Sequence, residues 1–221
     1  MLNTLEIGNG IFTISDIARI LGIPYRKVNR WMSDYWNGKL ALHYKHNYWI
    51  EDTKSVNFHT MIEIYVMMKF TEAGVNTNKI IEAHKELSQI YKTDFPFAEK
   101  KILDNIKTDK YKIYLQADND IISLDASKQL NLELIKLFFK NLEFDNNTLV
   151  SRFYPLGKKH KIVCDPDHKF GQPTIAGTNI QTEVIFRLHK AGEPIPFIAN
   201  IYDISEQEIK DVIDFHNKKV A

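Results

Sequence analysis

The sequence predicts an α+β protein, mainly helical, with paired-helix units at both ends and a small mixed α/β connector between them. Three observations carry the prediction. Apolar residues recur at three- and four-residue spacing in stretches closed by Gly22, Gly74 and Gly192. The period drops to two on either side of Asp118-Asn119-Asp120. Charge is also divided by end: Pro24 to Tyr48 carries a net +4, whereas Ile180 to Asn217 carries −4. The whole chain of 221 residues has a formal net charge of +1, 44% hydrophobic and 26% charged side chains, which is ordinary for a soluble globular protein. A single cysteine, Cys164, excludes an intrachain disulfide and a cysteine-rich zinc site. No apolar run approaches membrane length, and the start Met1-Leu2-Asn3-Thr4-Leu5-Glu6 lacks the pattern of a signal peptide. A cytoplasmic protein with no membrane partner is expected.

At the N-terminus, Asn9-Gly10 between Leu5-Glu6-Ile7 and Ile11-Phe12-Thr13 reads as a hairpin turn. Thr13 and Asp16 then form a capping box that opens a helix ending at Leu21, with Gly22 as its left-handed stop. Pro24 suits the first position of a second helix, expected to run to Trp36. Ala18 is small where the helices would cross, Ile17 and Leu21 form the inner face of the first, and Val28 and Trp31 that of the second. That is the spacing of a helix-turn-helix. The outer face of its second helix carries Tyr25, Arg26, Lys27, Asn29 and Arg30. Arg26, Asn29 and Arg30 suit base edges in the major groove, and Tyr25 and Lys27 suit phosphates. From Gly38 to Ile50, two extended stretches flank Lys45-His46-Asn47. A basic-tipped hairpin there would act as a wing, with Lys39 and Lys45 on the phosphate backbone. Residues 11–50 thus resemble the winged helix-turn-helix of the MerR-like regulators, which implies double-stranded operator DNA as a partner.

Phe58 to Ala73, stopped by Gly74, is apolar on most sides and should be a deeply buried helix. Thr77 to Tyr91 is a second helix, with Ile80, His84, Leu87 and Tyr91 on one stripe. This pair is either core or a homodimer surface, because operator readers commonly work as two-fold pairs. His84 in that stripe reads as a packed residue rather than a metal ligand. Tyr111 to Leu115 and Ile121 to Leu124 form a β-hairpin, Lys128 to Asn141 an amphipathic helix, and Thr148 to Tyr154 a further strand. Residues 93–157 are read as the connector, without recognisable chemistry, between an N-terminal domain at 1–92 and a C-terminal domain at 158–221.

In the C-terminal domain, Ile162 to Pro166 and Phe170 to Ile180 read as strands and turns punctuated by glycine and proline. Three helices follow: Thr182 to Ala191, Pro194 to Tyr202, and one opened by the capping box Ser205-Glu206-Gln207-Glu208. The last two repeat the front-end spacing, with Asp203 in place of the turn glycine. The final helix presents Glu206, Glu208, Lys210, Asp211 and Asp214. An acidic face is repelled by phosphate, so this helix-turn-helix-like unit should bind protein. The glycines at 171 and 177 fit neither a phosphate loop nor a dinucleotide fingerprint. Gly171, Pro173, Gly177, Thr178 and Asn179 are instead read as turns that shape a docking surface. Asp165 and Asp167 around Pro166 are turn formers, and Cys164 is a buried inert thiol. No catalytic motif, cofactor site or metal site is expected, and the protein should not be an enzyme.

The run Phe170 to Ile180, followed by Ala191-Gly192-Glu193, resembles the small domain of many bacterial proteins assigned as antitoxins, which reads Gly-x-Pro-x-Ile-x-Gly-Thr and then Ala-Gly-Glu. Arginine often follows the threonine in that family; Asn179 stands there here. With the front end, nearly the whole chain resembles the VapB-type antitoxins that carry an N-terminal DNA-binding domain. The resemblance implies a type II antitoxin that binds its own operator and neutralises a PIN-like ribonuclease toxin. The alternative is a stand-alone MerR-like transcriptional regulator that responds to a small molecule.

Overall fold

Thr13 both ends a strand and starts a helix. Its Oγ1 accepts the Asp16 amide at 3.2 Å while Asp16 Oδ2 accepts the Thr13 amide at 3.0 Å, the expected capping box. In the computed structural model, which describes residues 9–40, 47–50, 53–109, 112–117, 120–125, 138–146 and 148–218, this box joins Phe12–Thr13 (β1) to Ile14–Leu21 (α1). Gly22 is left-handed at φ 65°. Behind it the Ile23 amide donates to Ala18 O at 3.0 Å, and the chain re-enters helix at Tyr25–Arg30 (α2). The helical rod does not stay α to Trp36. Trp31–Leu40 widens into a π-helix, and its burial pattern supplies a reason. Val28, Met32, Trp36 and Leu40 are all buried at four-residue intervals. On an α-helix of 3.6 residues per turn that spacing drifts off one face. The wider i→i+5 winding takes more residues per turn and brings the later members back over the core.

The expected wing lies in large part outside the described residues, and its bounds are corrected where they are described. The strands that pair are Asn47–Ile50 (β2) and Thr53–Val56 (β3), with Ile50 opposite Thr53. The residues between them in sequence are Glu51 and Asp52, not Lys45-His46-Asn47. Lys39 and Leu40 belong to the π-helix because Leu40 is needed in the core, and Asn47 lies within a strand. Lys45 lies outside the described residues. So do Leu5-Glu6-Ile7; β1 pairs with β3, placing Phe12 opposite Val56 in a sheet ordered β1-β3-β2.

Phe58–Glu72 (α3) and Thr77–Tyr91 (α4) follow. The Asn57 side chain caps α3 by accepting the Thr60 amide at 2.8 Å. As expected, α3 is buried on most sides and His84 is packed inside. His84 Nε2 lies 2.8 Å from Glu63 Oε2, with neither side chain exposed. Burial pushes the Glu63 carboxyl above its ordinary range despite the pull of His84.

Lys100–Asp104 (α5) leads into an antiparallel sheet of Ile106–Asp109 (β4), Lys112–Ala117 (β5) and Asp120–Asp125 (β6). The expected β5–β6 hairpin is present, and β4 adds to it through Ile106 opposite Leu115. The helix expected over Lys128 to Asn141 lies mostly outside the described residues. Leu142–Phe144 (β7) pairs with Val150–Phe153 (β8), which bridges onward to Cys164. Ile162–Val163 (β9) and Thr174–Ile175 (β10) form a short ladder under Thr182–Lys190 (α6), Ile195–Tyr202 (α7) and Glu206–Asn217 (α8). Buried Ile17, Met61, Phe97, Leu124, Phe153 and Ile185 belong to one continuous apolar cluster. Core thus runs through the central segment. Among the described residues, no helix is long and apolar enough to cross a membrane.

Candidate functional site

The α2 face follows from how α2 is held. Val28 alone of its six residues is buried, and the buried Trp31 and Met32 pin the next turn. The opposite side faces solvent. Tyr25 is 52% exposed, and Arg26 and Arg30 are exposed beside it, with Asn29 half-buried. Arg30 keeps two local neighbours: its Nε is 3.8 Å from Asp34, and Nη2 donates to the Tyr35 hydroxyl at 3.2 Å. An exposed pair of that length contributes little and can be exchanged for another anion. Lys27 does something else. Its Nζ donates to Glu72 on α3 at 2.8 Å, and Lys69 meets the same carboxylate at 2.9 Å. Burial pushes the Glu72 carboxyl up, but the two ammoniums outweigh it and hold it below the usual carboxylate range. The predicted phosphate anchor is therefore a brace between α2 and α3. Lys39 has its backbone in the π-helix; its side chain, like all of Lys45, lies outside the described residues.

The predicted docking turn divides. Gly171 and Pro173 are buried, which corrects their assignment to a partner surface. A Cβ at Gly171 would stand 2.4 Å from Phe12 Cζ, and the residue has φ +79°. Only glycine fits there. Its neighbours complete the seam: the Ile11 amide donates to Phe170 O at 2.9 Å, and Gln172 Nε2 donates to Ile11 O at 3.1 Å. Arg19 on α1 then joins both ends of the chain. Its guanidinium reaches Glu183 at 3.3 Å, Gln172 Oε1 at 3.3 Å and Asp16 at 3.4 Å. Nearby His216 stacks on Phe186 and lies 3.1 Å from Thr182 Oγ1. Burial first, then the charge of Arg19, hold its imidazolium pKa down to about 4. Arg19, Gln172 and Glu183 carried no signal in the sequence, because each acts on a segment remote along the chain.

Gly177 and Asn179 do face solvent. Thr178 stiffens their turn, donating to Ile175 O at 2.8 Å and accepting the Ile180 amide at 3.0 Å. They border a cleft of about 290 Å³ with Arg152, Tyr154, Asp165 and His168. Asp165 is committed within it: its carboxylate accepts Arg152 Nε at 2.7 Å and the Asp167 amide at 3.0 Å, and lies 3.1 Å from His168 Nδ1. This is the turn-forming role expected of Asp165 and Asp167. Cys164 is fully buried, and burial pushes its thiol far up. One acid of the final helix is corrected too. Asp211 is buried and accepts His160 Nδ1 at 3.0 Å, the Lys161 amide at 3.1 Å and Gln207 at 3.0 Å. Glu206, Lys210 and Asp214 remain exposed.

Residues 162–216 match a family described as "Protein of unknown function (DUF433)". The fold is similar to the crystal structure of Rv2018 from Mycobacterium tuberculosis, with a TM-score of 0.66 at 15% identity over 92% of this chain and 97% of that one. No curated protein matches.

Proposed function

We propose that this protein is a DNA-binding antitoxin of a type II toxin–antitoxin system, repressing its own operon as a homodimer and neutralising a PIN-like ribonuclease toxin. The observation that carries the reading is the α2 face: Tyr25, Arg26 and Arg30 turned outward on a helix whose inner side is held by Val28 and by α1 across the Gly22 turn. Arginine offers the bidentate donors that suit a guanine edge, and the flanking Tyr25 hydroxyl suits a phosphate. Two such helices in a dimer would enter successive major grooves about 34–36 Å apart. The acidic α8 is unsuited to phosphate, which supports giving the rear unit to the toxin.

The test is a gel-shift titration against the DNA upstream of the gene. Arg30→Ala should weaken binding by roughly 1–3 kcal/mol and relax preference at one base position. Unchanged affinity, or no binding of duplex DNA by the unaltered protein at low salt, would refute the assignment.

A further inference from the structure

We propose that the partner-facing surface of the rear unit is the outer side of α7, centred on Phe197 and Ile201, and that its occupant is a protein offering an apolar groove with basic margins. The proposal rests on the antitoxin reading, in which that occupant is the toxin. Of the eight residues Ile-Pro-Phe-Ile-Ala-Asn-Ile-Tyr in α7, Ile198 alone is buried. Phe197 is 50% exposed and Ile201 57% exposed. They stand four residues apart, so they share one side of the helix. Ile198, Ile195, Ala199 and Tyr202 hold the inner side of the helix on the core. Single exposed apolar residues are commonplace, but two large ones on successive turns of its outer side form the pattern of a groove-binding helix. The polar turn of Gly177 and Asn179 offers nothing comparable for affinity.

Charge selects the occupant. Exposed Asp203 and Glu206 follow Ile201 within five residues, and half-buried Glu193 precedes Phe197, within a region of net charge −4. Such a margin repels nucleic acid and repels the same face of a second copy. The basic α2 face of a second copy fits in sign but not in shape. It offers Tyr25 as its one large exposed apolar side chain among the described residues, on a convex helix. A basic-rimmed apolar groove satisfies both requirements.

The test uses the full chain and, as probe, the protein encoded by the neighbouring gene, with affinity measured by biolayer interferometry. Phe197→Ser and Ile201→Ser should each weaken binding about thirtyfold, as buried anchors do, while the melting temperature and operator binding stay at wild-type values. Asp203→Asn with Glu206→Gln should weaken it severalfold at low salt and have little effect at high salt. Full affinity in both serine variants would overturn the surface while leaving the antitoxin reading intact. A wild-type dimer that Ile201→Ser converts to monomer, seen by light scattering, would make a second copy the occupant and overturn the proposal. Failure of the unaltered chain to bind the neighbouring gene's product would overturn the toxin-binding reading and this surface with it.

Discussion

The units α1–α2 and α7–α8 turn the corner in the same way. The Ile23 amide reaches Ala18 O at 3.0 Å, and the Ile204 amide reaches Ala199 O at 3.1 Å. Gly22 and Asp203 occupy the same left-handed position, at φ 65° and 51°. The difference lies in which helix the core takes. In the front unit α1 buries five of its eight residues and α2 only Val28. In the rear unit α7 buries only Ile198, while α8 buries Ile209, Asp211, Val212 and Phe215. The front therefore presents its second helix, basic and aromatic, and the rear presents its first, apolar and acid-bordered. One turn geometry serves two surfaces because burial, not the turn, decides which side meets solvent.

The largest expected effect breaks the seam between the units. Gly171→Ala sets a methyl group against the Phe12 ring and forces an L side chain to φ +79°. It should cost about 3 kcal/mol in a urea melt, combining overpacking with left-handed strain; Gly177→Ala, at φ +81° with open space around it, should cost only about 1 kcal/mol.

Acid should attack the same seam. The folded-state pKa of His216, about 4, lies below the 6.5 of a free imidazole, so the unfolded chain binds more protons between those values. Its contribution is complete above pH 6.5 and is lost as pH falls through 4. His216→Gln should flatten that stretch of the stability–pH curve, and an unchanged slope would remove His216 from the seam.

Exchanging surfaces comes next. Arg30→Ala should weaken operator binding by roughly 1–3 kcal/mol, whereas Lys210→Ala on exposed α8 should leave a gel shift unaltered. The smallest effect concerns the shared corner. Asp203→Gly relieves a left-handed non-glycine residue and should change stability by less than about 1 kcal/mol, in the stabilising direction. A loss in the melt would mean that the two turns are not equivalent.

Features set by neighbouring residues were legible in the sequence. The boxes at Thr13 and Ser205, the stops at Gly22 and Gly74, and the bounds of α4 all rest on contacts within a few residues. What escaped was set at a distance. Leu40 is buried at the end of the π-helix rather than extended, and β7 is only three residues long. Of the residues proposed to meet DNA, Tyr25, Arg26 and Arg30 fall where helix spacing puts them, because α2 meets few remote groups. Lys27 is taken by Glu72, and Gly171 by Phe12 at the other end of the chain. Local pattern cannot register such partners.

The π-winding of Trp31–Leu40 has a consequence for how this chain tolerates change in length. A helix closed by i→i+5 bonds holds slack that an α-helix lacks. Deleting one residue from this stretch can be absorbed by tighter coiling, with Leu40 still delivered to the core. Relatives of this protein should therefore accumulate insertions and deletions between Trp31 and Leu40 while α2 ahead of it keeps its count.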